Sequence, residues 1–247
     1  MIVVSLLTYG LGKELGIAGA AREVSHQLVE GTTSERFMHV LPCVRTVRLL
    51  RELSDLAVYH GASTTLPKAR SRAAHAVLAT PDADLWCMID DDVETDLATL
   101  TRLVAIARAG KVAVLPCALR STLGDHRVNV AWLSSLVTSV GGVSTRAVAR
   151  GGCGLMLVPR AALERVRDVF RESLSYLDDD GETRVALFQL MLTGDRESRM
   201  WLGEDYSFCE RIRAAGVEIA APVEGWSVHD GAVIDLADAA ALPGTTT

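Results

Sequence analysis

Apolar positions in this chain follow two rhythms. Short unbroken runs at 2–8, 84–89 and 112–117 have the form of strands buried on both faces. Elsewhere the spacing is that of helices, at 67–78, 96–109, 160–169 and 204–215, the second and last closed by Gly110 and Gly216. Further helices are expected at 18–29 and 44–53, and further strands at 36–41, 56–59, 128–136, 151–158 and 217–220. The stretch 137–148 carries Gly141-Gly142 among polar residues and reads as a mobile loop. Residues 178–181, Asp-Asp-Asp-Gly, read as a surface turn, and the tail from 236 as frayed. Strand and helix alternate in the first half and mix in the second. That order predicts an α/β protein: three layers around a mostly parallel sheet with antiparallel additions.

The bulk numbers narrow the function. With 247 residues and 49% of them hydrophobic, the chain can bury a full core as one large domain. A net charge of −6 argues against a dedicated nucleic-acid binder, which carries a basic face. Five scattered cysteines without a CxxC pair fit reduced thiols in a cytoplasmic protein rather than a disulfide framework or a zinc site. The opening Met1-Ile2-Val3-Val4 lacks the basic residues of a signal peptide. No apolar run approaches the roughly 18 residues that cross a bilayer.

The most informative run is Ile89-Asp90-Asp91-Asp92-Val93-Glu94, because three carboxylates follow an apolar strand directly. Two unit charges about 4 Å apart repel by roughly 4 kcal/mol at an effective dielectric near 20. A plain turn has no need of that repulsion, whereas a hard divalent cation with oxygen ligands uses it. Strand C-termini also form the crevice where open α/β sheets bind ligands. The bland reading makes Asp92 the cap of a helix beginning near Val93, with Glu94 in its first turn.

Two later segments bear on the same chemistry. Trp201-Leu202-Gly203-Glu204-Asp205 opens a helix with two acids. Such acids favour the helix dipole, and one of them in a cleft can act as a general base. Trp226-Ser227-Val228-His229 follows a strand, and a neutral imidazole beside the acid run can join a metal shell. Lys68, Arg70 and Arg72 read as a solvated helix face, with Arg70 also placed to meet a donor phosphate.

Taken in order, these pieces resemble the GT-A fold glycosyltransferases. The resemblance rests on the first strand, Lys68-Ala69-Arg70-Ser71-Arg72, the Asp-x-Asp of Asp90 and Asp92, Gly152-Cys153-Gly154-Leu155-Met156, Gly203-Glu204-Asp205 and His229. It spans nearly the whole chain. It implies a Rossmann-like GT-A domain over 1–235, with a donor half to about 95, an acceptor half after it, and a flexible tail at 236–247. It further implies Mn²⁺ or Mg²⁺ held by Asp90, Asp92 and His229, and a UDP- or GDP-sugar donor. Thr8, Tyr9, Gly10, Arg70, Asp90 and Asp91 would contact that donor. Asp205 or Glu204 would act as base in an inverting transfer, with Trp201 and Gly203 bordering sugar and acceptor. The family often carries Asn where Ser71 stands, and the membrane anchors of many relatives are not expected here.

The acceptor stays open among a saccharide, a protein side chain, a lipid-linked sugar and a hydroxymethylated DNA base, the last requiring a basic groove for which Arg120, Arg127, Arg146 and Arg150 are candidates. The stretch 137–150 could close over the donor to exclude water. Two other readings fit some of the same residues. One is a nucleotidyltransferase, with Gly10-Leu11-Gly12-Lys13 as a phosphate loop. The other is a nucleotide-sugar-binding domain without catalysis.

Overall fold

A computed structural model describes residues 1–7, 42–60, 65–119, 128–195, 197–229 and 231–241. The helix expected at 18–29, the strand at 36–41, the candidate donor residues Thr8, Tyr9 and Gly10, and Arg120 and Arg127 lie outside the described residues.

The chain begins with β1 (Ile2–Leu7), α1 (Pro42–Leu53), β2 (Leu56–His60) and α2 (Leu66–Ala79). Next come β3 (Leu85–Asp90), β4 (Val93–Glu94), α3 (Leu97–Arg108) and β5 (Val112–Val114). A long hairpin follows, β6 (Val130–Val140) and β7 (Val143–Gly151), then β8 (Leu155–Pro159) and α4 (Arg160–Leu174). Two small hairpins, β9 (Ser175–Leu177) with β10 (Thr183–Val185) and β11 (Met191–Thr193) with β12 (Met200–Leu202), lead to α5 (Glu204–Ala214). The chain closes with β13 (Ile219–Pro222), β14 (Trp226–His229), β15 (Ala232–Asp235) and α6 (Leu236–Ala241).

The main sheet has the order β2-β1-β3-β8-β5-β13-β7-β6. Strands β2, β1 and β3 are parallel, as are β5 and β13, while β8 and β7 run against their neighbours on both sides. The expected mostly parallel sheet with antiparallel additions is therefore present, but β8 lies at its centre rather than its edge.

Side chains alternate between two cores. Leu85, Cys87 and Ile89 of β3 pack with α1 and α3, through Val47, Leu50, Leu100 and Leu103. Trp86 and Met88 point the other way, onto Ala73 and Val77 of α2, Leu163 of α4, and Phe208 and Ile212 of α5. This period-two alternation between two apolar layers makes the fold three-layered. Trp86 sits edge-on to Phe188 and Phe208, with centroids at 5.9 and 6.2 Å, and its indole N–H donates to Ser5 Oγ at 3.0 Å. Each such aromatic contributes roughly 1.5–3 kcal/mol by burial. Together they make a rigid floor beneath the N-terminal half of α2.

Three expectations are corrected. The stretch 137–150 is not a loop but most of a β-hairpin, turned by Gly141 and Gly142 at φ 59° and 80°. Both torsions are positive, as the tightest hairpin turns require. Asp92 does not cap the next helix: Asp96 does, its side chain accepting from Thr99 N–H at 2.7 Å, and Val93–Glu94 are strand. The tail does not fray from 236, since Leu236–Ala241 form α6 with Leu236 and Ala239 buried. All five cysteines are free and buried, as expected.

Candidate active site

The acids of the sequence gather at the end of β3, with Arg70 at their centre. Arg70 is carried on the sheet-facing side of α2 beside the small residues Ala69, Ala73 and Ala74, and is only 2% exposed. It does not lie on a solvated face. Its Nη2 donates to Asp90 Oδ1 at 3.2 Å, and its Nη1 donates to Glu204 Oε1 at 3.2 Å and to Asp205 Oδ1. The guanidinium lies 6.0 Å over the Phe188 ring. Burial alone would lower its pKa, but the surrounding anions outweigh burial and hold it above its ordinary value. Arg70 Nε is buried without a hydrogen-bond partner among the described residues. Lys68 and Arg72 point elsewhere, onto Asp178 and Asp179.

Asp90 ends β3, where the strand opens into the turn Asp91-Asp92. Burial pushes its carboxyl up, Arg70 opposes, and Asp92 adds to the rise. Asp91 holds the turn in place: its carbonyl accepts from Cys43 N–H of α1 at 3.4 Å. Strand β4 then pairs antiparallel with β14, with His229 opposite Val93. That register sets the imidazole beside Asp92.

His229 Nδ1 lies 2.6 Å from the Ala118 carbonyl, and His229 Nε2 lies 3.5 Å from Asp92 Oδ2. A carbonyl can only accept, so Nδ1 carries the proton. In the neutral ring Nε2 then presents a lone pair toward the carboxylate. A backbone carbonyl fixing one ring nitrogen so that the other can ligate is a usual arrangement around metals.

Glu204 and Asp205 open α5, and Gly203 precedes them at the N-cap. Both Asp205 oxygens are engaged: Oδ1 by Arg70 and Oδ2 by Cys153 N–H at 3.1 Å. Glu204 is bonded through Oε1 alone among the described residues. Trp201, three residues before this helix, is 71% exposed.

The structure therefore brings Asp90, Glu204 and Asp205 together through Arg70, and Asp92 together with His229. No group of three His, Cys, Asp or Glu among the described residues is arranged to hold a metal. Two of the candidate ligands, Asp92 and His229, do face each other. Asp92 and His229 pair an anionic oxygen with an imidazole lone pair whose other nitrogen is tethered, and Asp90 adds partly desolvated negative charge. Arg70 does not stand open to a donor phosphate; three carboxylates occupy it.

Sequence reading missed three parts of the site: the Ala118 carbonyl, Cys153 N–H and Phe188. The first two are backbone atoms and leave no trace in residue type. The third lies in the apolar stretch 185–192, where nothing distinguishes a floor residue from ordinary core. The proposed basic groove is not assembled from the described arginines. Arg146 is buried over the Trp132 ring at 4.4 Å and donates to the carbonyls of Ser134 and Ala240. Arg150 pairs with Glu210 at 2.6 Å.

No family model matches this chain, and no curated protein matches it. Among solved structures, A197 from STIV is similar over 95% of this chain and 94% of its own, with 13% identity and a TM-score of 0.49. GalNAc-T7, solved with UDP, GalNAc and Mn²⁺, is similar over 93% of this chain and 44% of its own, at 14% identity and 0.46. UDP-glucose pyrophosphorylase from Acinetobacter baumanii is similar over 94% and 90%, at 12% identity and 0.44. At these values the likenesses assign no activity.

Proposed function

We propose that this chain is a metal-dependent glycosyltransferase, which moves a sugar from a nucleoside-diphosphate donor to an acceptor hydroxyl. The observation that carries this reading is the meeting of two units at the C-terminal end of β3. One is the Asp92–His229 pair; the other is the set Asp90, Glu204 and Asp205 joined by Arg70.

In this reading Asp92, His229 and Asp90 hold Mn²⁺ or Mg²⁺. A cation held there would supply positive charge to offset that on the departing diphosphate. The acceptor hydroxyl is a poor nucleophile until a carboxylate takes its proton, and the acids that open α5 stand ready for that. Arg70 ties those acids to Asp90 through one guanidinium. The face of Trp201, next to them, is available to a sugar or base ring. A base opposite the leaving group corresponds to inversion at the anomeric carbon. Thr8, Tyr9, Gly10 and Asp91 are assigned to the nucleotide by the sequence resemblance. A saccharide or a hydroxymethylated DNA base is the acceptor class.

The test is a panel of UDP- and GDP-sugars with Mn²⁺, offered with mixed saccharides and with hydroxymethylated DNA. Release of nucleoside diphosphate with sugar on the acceptor supports the reading. Release of pyrophosphate would instead mark a nucleotidyltransferase, and donor binding without turnover a binding domain.

A further inference from the structure

On the α2 surface away from the acids, a cavity of about 420 Å³ lies between α2, α4 and the β9–β10 hairpin. Its volume falls in the range of small-ligand pockets. His75, Arg167, Arg171 and Arg184 line it, and no Asp or Glu is among the described residues that do. In a chain of net charge −6 that composition is unlike the rest of the surface.

The arginines are unequally neutralised. Arg184 is matched by Asp178 and Asp180. Arg167 and Arg171 share one oxygen, donating from Nε at 2.8 Å and Nη2 at 2.9 Å to Asp168 Oδ1. Two guanidiniums thus face one carboxylate, and both Nη groups of Arg167 with Nε and Nη1 of Arg171 have no described acceptor. His75 has no described hydrogen bond either. The floor is apolar, from Ala74, Leu78 and Leu187, and the hydroxyls of Ser175 and Thr183 stand on the lining.

We propose that this cavity is a binding site for an organic phosphomonoester. The phosphoryl oxygens meet the spare N–H groups of Arg167 and Arg171, whose planar forks suit tetrahedral oxyanions. The body of the ligand covers the apolar floor. The site is separate from the candidate active site yet adjoins it. Ser71 lines the cavity, its Oγ accepts from Phe188 N–H at 3.3 Å, and the Phe188 ring lies beneath Arg70. The inference does not depend on the glycosyltransferase reading.

Calorimetric titration of the full chain with phenyl phosphate, inorganic phosphate and benzoate tests it. Phenyl phosphate is expected to bind at one saturable site, at least tenfold tighter than either of the others. The Arg167→Ala/Arg171→Ala variant should lose at least tenfold in that affinity with an unchanged thermal melt. Arg108→Ala, which removes one exposed charge on α3, should leave it unaltered. The absence of saturable binding, equal loss in Arg108→Ala, or displacement of phenyl phosphate by UDP would each overturn the proposal.

Discussion

His229 faces Asp92 across 3.5 Å with its Nε2, while its Nδ1–H is held by the Ala118 carbonyl at 2.6 Å. With a neutral ring the two groups both accept, and a proton on Nε2 or a cation between them resolves the opposition. A ligand that binds only the folded state raises stability, by about 2.7 kcal/mol at a hundredfold excess over its dissociation constant. Mn²⁺ should accordingly raise the melting temperature of the wild type. His229→Ala should lose most of that rise and melt near the wild type without metal. An equal Mn²⁺ shift in both proteins would remove His229 from the site.

Among the described residues Arg70 is the only guanidinium that meets Asp90, Glu204 and Asp205, and it is almost fully buried. Removing one member of a buried ionic group leaves the others uncompensated, at a cost of about 3–5 kcal/mol. Arg70→Ala should therefore shift the urea midpoint strongly downward. Adding Glu204→Gln to that variant should restore part of the loss, because one of the stranded charges goes. Independent, additive effects of the two changes would show that Arg70 and Glu204 do not interact.

The two acids of α5 should separate by readout. Asp205 uses both oxygens in the fold, so Asp205→Asn should lower thermal stability and transfer together. Glu204 has a single bonded oxygen, so Glu204→Gln should lower kcat about 10²–10⁴-fold, the usual scale of general-base catalysis, with little change in melting. Full activity in Glu204→Gln would assign proton transfer elsewhere.

Asp178 ties α2 to the β9–β10 hairpin. Its fully covered side chain meets Arg72 Nε at 2.6 Å and Nη2 at 2.5 Å, Lys68 Nζ at 3.1 Å, and Arg184. The Arg72 hydrogen bond, chiefly, holds this carboxyl well below its ordinary value of 3.8, against the opposing effect of burial. A depressed folded-state pKa stabilises above the unfolded value, and that stability is lost as pH falls through the folded one. Asp178→Asn should thus melt below the wild type at pH 7, and the gap should narrow once the pH drops below about 4. A gap independent of pH would mean that packing, not charge, holds the hairpin.

Gly141 approaches α3 so closely that a Cβ would stand 2.6 Å from the Ala105 carbonyl oxygen, and its φ is +59°. Gly141→Ala should cost about 1–3 kcal/mol of stability by denaturant titration. A neutral effect would show that the β6–β7 turn can move off α3.

These residues also show what sequence carries. The run 84–89 was legible as a strand because apolar residues on both faces leave no other place for it, and the acids after it marked the site. The partners of those acids were harder to see. Arg70 and Asp205 lie 135 residues apart, and nothing local distinguishes a buried guanidinium from the solvated Lys/Arg face expected for α2. The strand expected at 128–136 covers most of β6, while the end of β6 and most of β7 read as a loop because Gly141-Gly142 stand there among polar residues. The central place of β8 depends on strand order, which periodicity does not encode.

The central claim is that the acids ending β3 serve a cation shared with a leaving diphosphate. It is tested most directly by the Mn²⁺-dependent release of UDP or GDP from a nucleotide-sugar, compared between wild type and Asp92→Asn. The account predicts turnover that needs the metal in the wild type and falls at least a hundredfold in a variant that still folds. Undiminished release from Asp92→Asn, or release indifferent to chelation of the metal, would contradict it.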